Sequence, residues 1–218
     1  MATEENHRNM DEFWEEAFKN KHIMWGEQPT TSAIETCEHF KSLGFRKILI
    51  PGFGYGRNAR PFLDSGFEVA GIEISKTAIQ LAHQLLGGEI KVFHGSVGDM
   101  PFDQDIYDGI FCHALIHLLR SDERKRLLTN CNAQMKSGGL MVFTTITKHA
   151  STYGVGEKLG KDLFKTKDGV ELFFYDEESI KEEFGRFGLV EATVVEESSI
   201  GKPATKFWKI VCRKAERI

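Results

Sequence analysis

Residues 48–59 read ILIPGFGYGRNA. An apolar run enters three glycines, Gly52, Gly54 and Gly56, each two apart, followed by Arg57 and Asn58 and then by helix-compatible residues. The run reads as a buried strand and the sequel as the start of a helix. Each glycine adds roughly 0.5–1 kcal/mol of ordering entropy relative to alanine. Three of them at a strand-to-helix junction imply that the backbone must approach something closely there. In an open α/β sheet that junction lies at the carboxyl end of the strands, where ligands bind.

The next apolar run ends in GIEIS, placing Glu73 21 positions after Gly52. An acid at this distance, at the end of a second strand, can accept hydrogen bonds from ribose hydroxyls. A dinucleotide fingerprint would require G-x-G-x-x-G. Here the spacing is G-x-G-x-G, and Arg57 stands where the third glycine would be. A dehydrogenase is therefore disfavoured.

The wider chain fits one α/β domain. It has 218 residues, 41% hydrophobic and 28% charged, with a formal net charge of −4. It shows no long Lys/Arg run, which argues against a partner bound through nucleic-acid phosphates. The four cysteines, Cys37, Cys112, Cys131 and Cys212, are widely spaced and form no C-x-x-C pair; they read as reduced, buried small hydrophobes. The polar, acidic N-terminus does not read as a signal peptide. No run of about 18 apolar residues suggests a membrane span. The expected address is the cytoplasm, no metal site is expected, and nothing in the chain speaks to its oligomeric state.

Strand-like and helix-like segments alternate. Strands are expected at 46–51, 67–74, 90–95, 107–114 and 139–146. Helices are expected after Ser75 with a stop at Gly87, over 121–139 with Ser121 as cap and Lys136 and two glycines at its end, and over 176–189. Two final strands, 190–197 and 206–214, joined by a turn around IGKP, read as an antiparallel hairpin. The fold class is thus α/β: a single doubly wound, Rossmann-like, mostly parallel seven-stranded sheet with helices on both faces and an antiparallel C-terminal hairpin. Residues 1–44 read as an N-terminal helical arm and 45–218 as the core. The segment 147–175 is too long for a routine connection and reads as a functional lid or as a small extra hairpin.

ILIPGFGYGRNA followed by VAGIEIS resembles the first two motifs of the class I S-adenosylmethionine-dependent methyltransferases. VFHGSVGDMPF (92–102) is similar to that family's third motif and YDGIFCHALIHLL (107–119) to its fourth. MKSGGLMVFTTI (135–146) resembles the segment that closes the core. The resemblance implies that Gly52, Gly54 and Gly56 line the methionine part of S-adenosylmethionine. It further implies that Glu73 binds the ribose hydroxyls and Ile74 packs on the adenine. Arg57 and Asn58 would lie near the cofactor, although Asn58 reads equally as a helix cap. Ser96 stands where the family often has an acid facing the adenine amino group; its hydroxyl, or the backbone of Val97, would substitute. His113 would face the cofactor, and His117, four residues on, is the candidate base toward a substrate proton.

The arm contains FWEEAFKNKHIMWGEQPT, whose W…F…K…WG…P pattern resembles the arm of thiol-, thiopurine- and tellurite-type small-molecule methyltransferases. There it would fold over the cofactor; Trp25 reads as part of such a lid or as a plug of the core edge. Aromatic faces stabilise a sulfonium by roughly 0.5–2 kcal/mol, and Trp25, Tyr153 and Tyr175 are the candidates. The expected function is methyl transfer from S-adenosylmethionine to a small molecule, a thiol or another soft nucleophile. An RNA or protein methyltransferase and a non-catalytic cofactor-binding module are the alternatives.

Overall fold

The computed structural model describes residues 2–87, 90–199 and 202–216. Two helices, α1 (Ala2–Lys21) and α2 (Thr31–Ser42), precede the first strand. The core then runs β1 (Lys47–Pro51), α3 (Arg60–Asp64), β2 (Glu68–Glu73), α4 (Lys76–Leu86), β3 (Lys91–His94), β4 (Tyr107–His113), α5 (Ser121–Ala133) and β5 (Met135–Ile146). After it come three short strands, β6 (Glu157–Gly160), β7 (Leu163–Lys165) and β8 (Glu171–Phe173). Helix α6 (Glu177–Phe184) and the strands β9 (Leu189–Ser199) and β10 (Lys202–Arg213) complete the chain.

The main sheet has seven strands in the order β3-β2-β1-β4-β5-β10-β9. The first five are parallel, and β10 runs antiparallel to both β5 and β9. The expected hairpin is therefore present, while the tip of its turn, Ile200 and Gly201, lies outside the described residues. The strand order reverses between β1 and β4, which sets a crevice beyond their carboxyl ends.

Alternation along the strands builds two cores. Ile48, Ile50, Val69, Phe111 and Val142 pack with Phe40 of α2, Phe62 of α3 and Ala82 of α4. The residues between them, Leu49, Ala70, Ile110, Cys112 and Met141, pack with Leu127 and Leu128 of α5 and Ile180 and Phe184 of α6. Strands buried on both faces read as continuous apolar runs, which is why KILIP and DGIFC show no polar alternation. All four cysteines are free and buried.

Both boundaries of α5 differ from expectation, and α6 ends at Phe184 rather than near 189. Helix α5 is capped at Arg120, whose backbone N–H donates to the Glu123 carboxylate at 2.8 Å. The acid three residues into the helix supplies the cap, so Ser121 is already helical. The helix also stops at Ala133, and Lys136 and the two glycines belong to the start of β5. There Met135 pairs with Tyr107, and a Cβ on Gly139 would lie 2.7 Å from the Asp108 carbonyl. Tertiary pairing with β4 overrides the helical signal of SDERKRLLTNCNAQMK.

The segment 147–175 contains the antiparallel sheet β6-β7-β8 with a small core of its own, in which Ala150, Phe164 and Phe174 pack with Ile146 and, at the rim, Phe207. Tyr153 lies edge-on against Phe164 and Phe174 and donates its hydroxyl to Asp162 at 2.7 Å. Tyr175 is sealed in the main core and donates to Glu183 at 2.7 Å, while Arg124 grips the same carboxylate through Nε and Nη2. Among the described residues, no helix is long and apolar enough to cross a membrane.

Candidate active site

The glycine turn follows directly from β1. Gly52, Gly54 and Gly56 have φ of +71°, +56° and +82°, in the left-handed region that L side chains avoid. The backbone N–H groups of Gly52 and Phe53 both donate to the Ile72 carbonyl, at 2.9 and 3.0 Å, which ties the turn to β2. One residue further along β2, Glu73 is buried and accepts three backbone N–H bonds: from Gly54 at 2.7 Å, and from Ile74 and Ser75 at 2.9 Å each. Burial pushes its carboxyl above the usual carboxylate range, against the pull of those three donors.

The glycines divide by purpose. A Cβ on Gly54 would meet no protein atom within 4 Å, and one on Gly52 would touch only the Leu115 side chain, at 3.0 Å. Both line a cavity of about 420 Å³. Gly56 does not line it; a Cβ there would lie 2.5 Å from Leu86 Cδ1 and 3.0 Å from Phe53 Cε1. Its smallness serves helix packing rather than the ligand contact expected of it.

The cavity gathers most of the expected residues. Glu73, Ile74, Ser96 and Val97 line it from the ends of β2 and β3. Ser96 accepts from the Gly98 N–H at 3.1 Å, so its hydroxyl is engaged in capping a short 3₁₀ turn. Arg57, Asn58, His113, His117 and Trp25 line it as well. Tyr153 and Tyr175 do not: Tyr153 sits exposed at the edge of the β6-β7-β8 sheet against Phe164 and Phe174, and Tyr175 is sealed in the main core. The aromatic face that the sequence assigned to them comes instead from Phe207, midway along β10. Glu197, Thr205 and Phe207 lie more than 50 residues beyond the last motif, which ends at residue 146, and no local pattern marks them.

Asn58 neither caps α3, whose cap is Ala59, nor points freely into the cavity. Its Oδ1 accepts from the Thr30 N–H and hydroxyl at 3.0 and 3.1 Å. Arg57 donates Nη1 to the Trp25 carbonyl at 2.8 Å. These two residues thus latch the arm to the glycine turn. Glu197 completes the latch by accepting from the N–H groups of Thr31 and Ser32 at 3.1 Å each, at the start of α2, where a carboxylate meets the positive end of the helix.

Helix α1 lies across this end of the molecule. Trp14 and Trp25 gather with Phe18 around Tyr55 and Ala78. Trp25 stacks on Tyr55 with centroids 6.2 Å apart, and Trp14 and Phe18 also reach the cavity. Glu15 caps α4 from outside the helix, accepting from Ser75 Oγ and Thr77 Oγ1 at 2.7 Å each and from the Thr77 N–H at 3.1 Å. Burial raises its pKa, but the Ser75 and Thr77 donors and Lys19 outweigh that and bring it from 4.5 to about 2. A depressed carboxyl stabilises the docked arm fully above pH 4.5 and loses that contribution as pH falls through about 2. The expected outcome is an acid-induced change in tryptophan fluorescence, reporting Trp14 and Trp25, between about pH 4.5 and 2. Glu15→Gln should remove this step, and an identical titration in the variant would refute the capping role.

His113 and His117 are both neutral at physiological pH. Burial, reinforced by the nearby Arg57, lowers His113 to about 3, and burial alone takes His117 to about 3. A group whose conjugate acid has so low a pKa takes up a proton poorly. Moreover, the His117 Nδ1 faces the Ile146 N–H at 3.4 Å. The base role expected of His117 does not fit this setting.

Comparison with known proteins agrees with the fold. Residues 49–143 match a protein-family model described as a methyltransferase domain. Over 104 residues the chain is 34% identical to a sarcosine/dimethylglycine N-methyltransferase of Aphanothece halophytica, covering 45% of this chain and 37% of that protein. A tRNA N(3)-methylcytidine methyltransferase of Drosophila melanogaster is 22% identical over 192 residues, which is 82% of this chain and 58% of that one. The chain thus spans between about a third and three fifths of these relatives' lengths. A solved 1,6-didemethyltoxoflavin-N1-methyltransferase of Burkholderia thailandensis superposes with a TM-score of 0.74 at 16% identity, covering 98% of this chain and 90% of that one.

The residues present fit S-adenosylmethionine. Bare backbone at Gly52 and Gly54 leaves room that a side chain would fill, and a buried carboxylate stands one strand over, in a cavity of suitable size. Residues 49–143 thus match a methyltransferase-domain model, and the fold is the one shared with the solved methyltransferase above.

Proposed function

We propose that this protein is an S-adenosylmethionine-dependent methyltransferase acting on a small molecule, at an atom that presents its own lone pair, such as a thiol or an amine. The observation that carries this reading is the pairing of the Gly54 turn with Glu73 inside one cavity. Glu73 holds the ribose, Gly52 and Gly54 admit the amino-acid part, and Ile74 and Val97 flank the base. When bound, the cofactor supplies a methyl group activated by a sulfonium. The protein's contribution is to position and enclose: alignment of two reactants removes roughly 7–11 kcal/mol of barrier, and a closed, dry site strengthens every charge interaction in it. Residues 1–44 act as the lid over the core, 45–218, and the 147–175 insertion buttresses Phe207. The low basicity of His113 and His117 supports a soft nucleophile over a hydroxyl.

The test is transfer of labelled methyl from S-adenosylmethionine to a panel of thiols, amines, hydroxyl compounds and bulk tRNA. Label on a small thiol or amine is the expected result. The likeness to a tRNA methyltransferase makes tRNA the informative rival, and label in tRNA alone would overturn the small-molecule reading. Tight cofactor binding with no transfer to any acceptor would favour a binding module.

A further inference from the structure

The surroundings of His113 and His117 favour one and the same tautomer. Thr144 is sealed, and its Oγ1 accepts from the Ala114 N–H at 3.2 Å while lying 2.7 Å from His113 Nδ1. Among the described residues that nitrogen is the only side-chain acceptor within hydrogen-bond distance of the hydroxyl, and a bare Nδ1 accepting from it puts the proton on Nε2. In His117, Nδ1 lies 3.4 Å from both the Ile146 N–H and the Thr145 hydroxyl; a bare nitrogen accepts from the N–H and can accept from the hydroxyl as well. Again Nε2 carries the proton.

Neither Nε2 has a partner among the described residues, yet neither is sealed. The buried, unpartnered side-chain nitrogen and oxygen atoms there are Thr36 Oγ1 and Gln134 Oε1 alone. Both Nε2–H groups therefore open onto the cavity that the two rings line. Phe207 sets their spacing: it stacks on the His113 ring at 5.7 Å and packs tilted against His117 at 6.1 Å. Arg57 lies close enough to His113 to act on its charge, uses Nη1 on the Trp25 carbonyl, and makes no ion pair within 4 Å among the described residues. The nearby Glu197 is already held by two backbone N–H groups. This wall of the cavity thus presents donors and a cation around one aromatic ring.

We propose that His113 and His117 are paired Nε2–H donors that recognise a carboxylate on the methyl acceptor, with Arg57 as its counter-charge and Phe207 as the surface on which the rest of the acceptor lies. This deepens the methyltransferase reading and rests on it. Neutral donors are suited to the task, since an imidazolium beside a sulfonium would repel it. The histidines act by positioning; the acceptor reacts as a thiolate or a free amine, and the proton it gives up passes to solvent rather than to them.

The experiment uses the full chain saturated with S-adenosylhomocysteine. Histidine ¹⁵N spectra at pH 7 are recorded while benzoate, or benzamide as its uncharged match, is titrated in. Both rings are expected as Nε2–H tautomers, benzoate should shift both Nε2 signals, and it should bind at least tenfold more tightly than benzamide. His117→Leu should abolish that preference and His117→Gln, which keeps an N–H donor, should retain it. An Nδ1–H tautomer on either ring, equal affinity for the two probes, or no response to benzoate overturns the proposal. The carboxylate of the cofactor's own amino-acid part is the other source of this chemistry. If His117→Leu weakens S-adenosylhomocysteine but not 5′-methylthioadenosine, which lacks that carboxylate, the donors serve the cofactor and the proposal fails. Should the protein bind no S-adenosylhomocysteine at all while preferring benzoate, the methyltransferase reading fails and the carboxylate site stands.

Discussion

Replacing Glu73 with alanine should weaken S-adenosylhomocysteine binding by at least about a hundredfold. The side chain accepts from Gly54, Ile74 and Ser75 and lines the cavity beside them. Hydrogen bonds to a charged group contribute about 1.5–3 kcal/mol each, and two to a ribose would together give about 3–6 kcal/mol. At about 1.4 kcal/mol per tenfold the loss reaches two decades or more. Alanine also releases the Gly54 N–H and so loosens the turn that shapes the cavity. Glutamine separates the two effects, since its single carbonyl oxygen can keep the Gly54 bond but not all three. Glu73→Gln should therefore fall between wild type and alanine when measured by calorimetry. Unchanged affinity in the alanine variant would remove the ribose role.

Gly54→Val should abolish cofactor binding, with affinity reduced by more than about a hundredfold. The new side chain enters space that no protein atom occupies, and that space is where the backbone must meet its ligand. The same change forces a β-branched residue to a φ of +56°, at about 1–2 kcal/mol of strain, so a modest fall in melting temperature accompanies the loss. Gly56→Ala is the contrasting case. Its Cβ would run into Leu86 and Phe53, and overpacking costs about 1–3 kcal/mol. Stability should drop there while the folded fraction still binds far better than the valine variant. Retained binding in Gly54→Val would undo the close-approach argument.

Much of this architecture is local in origin and therefore legible in the chain. Apolar runs buried on both faces announce parallel strands, and the Ser75 cap and Gly87 stop bound α4 where expected. The glycine turn and Glu73 sit in adjacent parallel strands, so a short sequence separation brings them together. Even the latch residues Arg57 and Asn58 were visible as an unusual polar pair, although their partners, Trp25 and Thr30, were not.

What the chain alone determined was the sheet, its order of elements and the half of the cavity built from β1, β2 and β3, because each is specified by residues near one another in sequence. Tertiary structure decided the rest. It split three similar glycines into two that face the cavity and one that makes room for Leu86. It held Tyr153 at the edge of the small sheet and Tyr175 in the main core and put Phe207 in their place, and it stripped His117 of basicity by burying it against the Ile146 N–H. Close packing and desolvation depend on neighbours far away along the chain, and no short stretch of residues encodes them.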